Sequence, residues 1–301
     1  MSNIILLFVC LALGMTIGWS KRLPEGAHLT LNGFILHVSL PALILLQIHN
    51  IHLRADLLYS VAMPWLLFIV GCGFFWLLGR AMSFSAATTG GLMLVGGLAN
   101  TSFVGLPMIQ AFYGSGGMAT GILIDQLGTY LVLSTLGITV AALYSHGTAR
   151  ASAVIGRIVR FPPLLALLLA LAMMRVDYPT WFTDVLRSLG GTLVPLALVS
   201  VGLQLHLDQF RGNVSALATG LTFKLLIGPA LVAVVYVWWL HAHGQTIQIT
   251  LFESAMGPQI GAAIVAIQHG LNPTLITLMV GIGITLSFVT LPAWWYVLQT
   301  I

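Results

Sequence analysis

From Phe252 to Gln259 the chain reads Phe-Glu-Ser-Ala-Met-Gly-Pro-Gln, inside a run that is otherwise apolar from about Ile247 to Gln268. A charge at bilayer depth costs about 2.5–3.5 kcal/mol on insertion scales. Proline removes a backbone donor and clashes with the preceding turn. Membrane helices accept such breaks where the freed backbone faces protein or a wet cavity. Glu253–Gln259 therefore reads as a broken helix lining a binding site. The plainer reading is a structural kink around a buried, neutral Glu253. A second run of this kind, Asn-Thr-Ser-Phe-Val-Gly-Leu-Pro, spans Asn100–Pro107. Each break offers a half-helix N-terminus with unpaired N–H groups and positive dipole character. Two such ends that converge make a carboxylate site without an arginine. Asn100, Thr101 and Ser102 supply polar groups on one side, and Ser254 and Gln259 on the other. Gly105, Gly257 and Gly261 allow close approach. The plainer reading of the Asn-Thr-Ser run is interhelical hydrogen bonding.

The elements that must position these residues are membrane helices. Hydrophobic residues make up 58% of the 301 and charged residues 6%, against about 25% charged in soluble domains. The alternation of apolar runs with short polar breaks gives an all-α polytopic membrane protein. Ten spans are expected, near 3–20, 29–49, 57–79, 87–112, 119–145, 158–174, 181–205, 213–240, 247–269 and 273–299. The +4 net charge comes from few residues and reflects topology; no basic patch suggests nucleic acid. Cys10 and Cys72 lie in apolar runs and read as small hydrophobes. Met1–Ser20 has no basic n-region and reads as a first span, not a signal peptide. No H-E-x-x-H, paired intramembrane aspartates or G-x-S-x-G with a partner histidine suggests an enzyme.

Loops after odd spans carry seven basic residues, Lys21, Arg22, Arg80, Arg150, Arg157, Arg160 and Arg211, against three, Arg54, Arg175 and Arg187, after even spans. The richer side belongs in the cytoplasm, which places both termini outside. Pro41 in span two answers Pro195 in span seven, and the interrupted spans four and nine answer each other. An offset of five spans inverts the halves, 1–150 and 151–301. Interrupted segments at matching positions of inverted repeats point to a transporter site.

Asn100–Pro107, Pro-Ala-Leu at Pro41, Pro-Leu-Ala-Leu at Pro195, Lys224–Pro229 and Thr290–Pro292 together resemble the auxin efflux carrier family across essentially the whole chain, with Ser102 where glycine is usual. The length suits compact bacterial members in the inner membrane. The resemblance implies the fold of the bile acid:sodium symporters, with two inverted five-helix repeats. Spans 1, 2, 6 and 7 would form a scaffold, and 3–5 and 8–10 a moving core. Broken spans four and nine would cross at mid-membrane, at Pro107 and Pro258, with Asn100 in the site. It implies elevator-type transport of small organic anions, such as mono- or dicarboxylates or auxin-like aromatic acids, and a homodimer.

Glu253 would repel an anionic substrate unless neutralised by a proton or by Na⁺ held with Gln259 and Asn100. The bile acid symporters carry E-x-x-M-Q here, and Gly257-Pro258 intrude before Gln259. That favours proton coupling or none over sodium. Apart from a coupling ion, no cofactor is expected. Asp125, beside Gln126, and Lys224 are the other intramembrane ionisable residues, which suggests a buried Asp–Lys or Glu–Lys pair, the plainer alternative being that Lys224 snorkels to the surface. His37 and Gln47 in span two, with Gln204 and His206 near the end of span seven, are further contacts from the scaffold; a lone histidine is more often structural. A sodium-coupled symporter is the alternative within transporters, and a membrane sensor the alternative outside them.

Overall fold

The computed structural model describes residues 2–20, 23–24, 26–48, 56–145, 160–174, 176–204 and 214–301. Among them the chain is all-helical, with no strand beyond an isolated bridge. Six helices among the described residues are long and apolar enough to cross a membrane: Ala27–Ile48 (α2), Leu57–Ala81 (α3), Ser115–Tyr144 (α6), Thr180–Leu203 (α8), Val214–Trp239 (α9) and Pro273–Leu298 (α12). Between them lie Ser2–Ser20 (α1), Ala86–Gly97 (α4), Thr101–Phe112 (α5), Pro162–Ala172 (α7), Gln245–Ser254 (α10) and Ile260–Gln268 (α11). Lys21, Arg22, Arg54, Arg150, Arg157, Arg175, Arg211 and His206 lie outside the described residues. Arg187, counted above with a loop, lies inside α8 and donates to Asp184 Oδ1 at 2.8 Å. The count for its side of the membrane therefore loses one member.

The helices form two compact units. Unit 1 is Met1–Arg54, Ser102–Ile122 and Gly156–Leu205; unit 2 is Ala55–Thr101, Leu123–Ile155 and His206–Ile301. In unit 1, α1 runs against the second half of α8. Small residues set this spacing, since a Cβ on Gly202 would fall 2.5 Å from the Leu11 carbonyl oxygen. Helices α7 and α8 flank the end of α2, where the Ser39 and Thr192 hydroxyls meet at 2.7 Å.

In unit 2, α4 is the central helix. Every residue from Thr88 to Gly97 is buried. A helix apolar all round belongs inside such a bundle. It packs with α3, α6, α9, α11 and α12. Phe68, Phe75 and Phe223 fill the core beside it, and Phe74 stacks on Phe223 with ring centroids 4.6 Å apart. Ser85 caps α4 by accepting from the Thr88 N–H. Among the described residues six segments are π-helical, including Ile124–Thr129 in α6 and Phe223–Ile227 in α9. Such wide turns often mark functional positions.

Candidate functional site

The helix ending at Gly97 gives way to extended backbone at Leu98, and five residues, Ala255 to Gln259, separate the end of α10 at Ser254 from the start of α11 at Ile260. Breaks inside apolar spans free backbone groups that lipid cannot satisfy. In unit 2 the two breaks satisfy each other. Asn100 N–H donates to the Gly257 carbonyl at 2.9 Å, and Gln259 N–H to the Leu98 carbonyl at 3.3 Å. Ala99 and Pro258 form the antiparallel bridge between these bonds. Opposed residues alternate between bonded and non-bonded pairs in an antiparallel ladder. Pro258 holds a non-bonded position, so its missing N–H costs no ladder bond. Its ring lies against Gly283 of α12, where a Cβ would fall 2.6 Å from Pro258 Cδ. A Cβ on Gly257 would meet Ile284 Cα at 3.0 Å, and one on Gly261 would meet Leu133 Cδ2 at 3.1 Å. These two glycines thus serve helix packing.

Polar side chains gather around the paired breaks. Thr101 Oγ1 donates to Asp125 Oδ1 at 2.6 Å, and Gln126 Nε2 to Asp125 Oδ2 at 2.7 Å. Both acceptors sit in the π segment of α6. Lys224, in the π segment of α9, is fully buried and donates to the Ser254 carbonyl at 2.9 Å. It caps the end of α10, where carbonyls lack intrahelical partners and the dipole favours a cation. That rules out snorkelling. Ser254 Oγ donates to its own helix, at Leu251 O. Glu253 is fully buried, and neither carboxyl oxygen has a hydrogen-bond partner. Asp125 and Lys224 are the charges that act on it. Gln126 Oε1, Thr129 Oγ1 and Gln259 Oε1 are likewise buried without a hydrogen bond. All of these orphaned atoms are acceptors or, for Thr129, a hydroxyl. Buried polar atoms are almost always paired in native structures.

The sequence-derived residues fall into two sets. Asn100, Thr101, Asp125, Lys224, Glu253, Ser254, Pro258 and Gln259 belong to unit 2, and His37, Gln47, Ser102 and Pro107 to unit 1. Pro107 lies inside α5, past the break, while the bridge uses Pro258. Gly105 is buried in the π segment of α5. Gln47 and Pro107 line a cavity of about 310 Å³ within unit 1, together with Gln110 and Arg187. His37 is exposed, its Nδ1 2.9 Å from the Gly33 carbonyl of its own helix. The Gln204 side chain and His206 lie outside the described residues. Among the described residues no group of three or more His, Cys, Asp or Glu could hold a metal ion. Sequence reasoning passed over Thr129, Gln110 and Arg187. Thr129 stands one turn from Asp125, Gln110 three residues from Pro107 and Arg187 three from Asp184, spacings that share a helix face.

Long apolar helices, broken spans and buried charges define a polytopic membrane protein. A family model described as "Membrane transport protein" matches residues 1–295, and the chain belongs to that family, the auxin efflux carriers that the sequence resembles. An "Uncharacterized transporter" from Methanothermobacter thermautotrophicus is 31% identical over 308 aligned positions, covering 98% of this chain and 97% of the relative. The "Uncharacterized transporter MJ1031" from Methanocaldococcus jannaschii is 25% identical over 279, covering 89% of each.

Proposed function

We propose that the protein is a secondary carrier of small organic anions in the cytoplasmic membrane of a bacterial cell, with both termini outside. In this reading ten spans form two inverted repeats, and the breaks of unit 2 cross at mid-membrane. The substrate carboxylate is held by Asn100, Gln259 and the amides opening α11. A proton on Glu253 is the coupling ion. The observation that carries the reading is the fully buried Glu253, both oxygens without hydrogen bonds, beside paired helix breaks. A protonated Glu253 carries a donor of its own and no longer repels an anion. Elevator movement of one unit against the other rests on fold analogy.

A second reading is favoured by Gln126 Oε1, Thr129 Oγ1 and Gln259 Oε1. Neutral oxygens beside a carboxylate suit a hard cation, and Na⁺ would then be co-transported. An uncoupled facilitator is the third possibility, since a membrane potential drives anions out by about 2.3 kcal/mol per charge per 100 mV.

The test is flux of labelled benzoate, malonate and indole-3-acetate in liposomes holding the purified protein. A pH gradient, a sodium gradient and a potassium diffusion potential are applied separately, to wild type and Glu253→Gln. Saturable flux driven by the pH gradient and lost in the variant is expected. Sodium-driven flux selects the second reading. Saturable flux that responds only to the potential, equal in both proteins, removes Glu253 from coupling. Absence of saturable flux for every acid overturns the carrier reading.

A further inference from the structure

Arg80, in the last turn of α3, is a cation that the carrier reading does not use. Its guanidinium lies over the Trp76 ring, 4.1 Å from the centroid, and enters no hydrogen bond or ion pair among the described residues. A basic residue at a helix C-terminus commonly caps the last carbonyls. Here the backbone has taken them. Met82 N–H donates to the Leu78 carbonyl at 2.8 Å, Ser83 N–H to Arg80 at 3.4 Å and Phe84 N–H to Gly79 at 2.9 Å. Ser83 supplies the left-handed residue of this ending, at φ 53°. Stacking on indole occupies the flat face of the guanidinium and leaves its in-plane N–H edge free. Of the described acids in unit 2, Asp125 and Glu253 are buried near the breaks, and Asp56 precedes the opposite end of α3. Tyr144, closing α6, packs on Gly90 near the start of α4, so α6 ends at the same end of the unit as Arg80. Residues 146–160 after it hold Arg150, Arg157 and Arg160 and no carboxylate.

An apolar track leads away from this charge. Ile69, Gly73, Trp76, Leu77 and Arg80 follow at spacings of three and four residues, which puts them on one face of α3, and all five are exposed. A Cβ built on Gly73 meets no atom within 4 Å, so the stripe dips there. From Ile69 to Arg80 the helix rises about 16 Å, close to half of a hydrocarbon core of about 30 Å. We propose that this stripe binds an anionic phospholipid, with its phosphate on the Arg80 N–H edge beside Trp76 and an acyl chain along Leu77, Gly73 and Ile69. Guanidinium presents a planar fork that matches phosphate, and tryptophan favours the headgroup level of a bilayer. The stripe spans one leaflet, with its cation at the headgroup end, as a lipid of opposite charge requires. The site stands apart from the paired breaks and does not depend on which acid is carried.

The experiment is native mass spectrometry of the full-length protein in detergent, titrated with dioleoyl phosphatidylglycerol or dioleoyl phosphatidylcholine. Wild type, Arg80→Gln, Arg80→Lys, Trp76→Leu and Arg160→Gln are compared, Arg160 being an exposed arginine of unit 1. In wild type the first phosphatidylglycerol is expected to bind about fivefold more tightly than the first phosphatidylcholine, as the attraction of one arginine to an anionic surface implies. The preference disappears in Arg80→Gln. It falls to about twofold in Arg80→Lys, which keeps the charge without the fork, and in Trp76→Leu, which frees the guanidinium to turn. It is unchanged in Arg160→Gln and in excess inorganic phosphate. Arg80→Lys and Trp76→Leu carry the test if Arg80→Gln fails to fold. An equal preference in wild type and Arg80→Gln, or an equal loss in Arg160→Gln, overturns the proposal, the second by making the attraction diffuse. Displacement by inorganic phosphate overturns it in favour of a free-anion site. A changed proportion of dimer in Arg80→Gln and Trp76→Leu, at constant lipid preference, overturns it in favour of a second copy on this face.

Discussion

Lys224→Met removes the buried amine that joins α9 to the end of α10. The Nζ–Ser254 carbonyl bond is 2.9 Å long, and the side chain is fully buried. Methionine keeps most of the volume, so a packing void contributes little. Two losses remain. The Ser254 carbonyl is left without its donor, at about 1–3 kcal/mol for a buried acceptor. Glu253 also loses the cation that acts on it, and stranding a buried charge costs about 3–5 kcal/mol. The terms overlap, so a net destabilisation of about 3 kcal/mol is expected. The assay is reversible unfolding from dodecyl maltoside into dodecyl sulfate, followed by tryptophan fluorescence, with Lys224→Gln as a second variant that keeps an amide donor. Lys224→Gln should recover about 1 kcal/mol of the loss. A Lys224→Met midpoint within about 0.5 kcal/mol of wild type would falsify the claim that the amine holds the end of α10.

The Gly283→Ala side chain would lie 2.6 Å from Pro258 Cδ and 2.9 Å from Leu221 Cδ2. Overpacking of about 1–3 kcal/mol is expected, with substrate affinity lowered at unchanged expression; a normal flux curve and melting midpoint would count against the packing of Pro258 on α12. For Asn100→Ala we expect affinity for the transported acid to fall about tenfold while the protein still assembles, read by flux at graded substrate concentration. Glu253→Gln mimics the protonated carboxyl, so substrate binding should persist and the dependence of flux on a pH gradient vanish; an unchanged pH response would place the coupling elsewhere.

The helical membrane class was legible because its signal is compositional and local. The break at Glu253–Gln259 was legible for the same reason: a carboxylate, a glycine and a proline in an aliphatic run leave few alternatives. In the other interrupted span the break runs over Leu98 to Asn100, ahead of the glycine and proline that mark the sequence. Nothing local predicts an extended Leu98; its carbonyl accepts from Gln259, a partner far along the chain. Pro107 sits at the start of an α-helical stretch, after a π segment, where a missing N–H is tolerated. Lys224 could be read as paired or snorkelling, and only the placement of Ser254 decides between them. Arg187 was read as a loop residue because a charge usually marks a span end, yet it lies within α8 beside Asp184. The units interleave noncontiguous segments, so chain order alone does not group their residues.

Asp125, Glu253 and Lys224 form a charged cluster in unit 2. With Asp125 and Glu253 ionised and Lys224 protonated, the cluster carries one net negative charge. A monocarboxylate beside it makes two, in a place where an unpaired charge is costly. One proton on Glu253 restores the count to the bound substrate's single charge, and substrate and proton then move together without net charge. Flux of a monocarboxylate should accordingly be electroneutral, insensitive to a potassium diffusion potential and accompanied by alkalinisation on the side that loses the acid. A dicarboxylate with the same single proton would carry one net charge and respond to the potential. The Glu253→Gln variant holds a neutral side chain throughout, so it should turn monocarboxylate flux electrogenic while leaving the substrate's binding charge balance intact. Monocarboxylate flux that is potential-driven in wild type and unchanged in the variant would mean that Glu253 keeps one protonation state through the cycle, and the paired breaks would then bind the anion without a coupling ion.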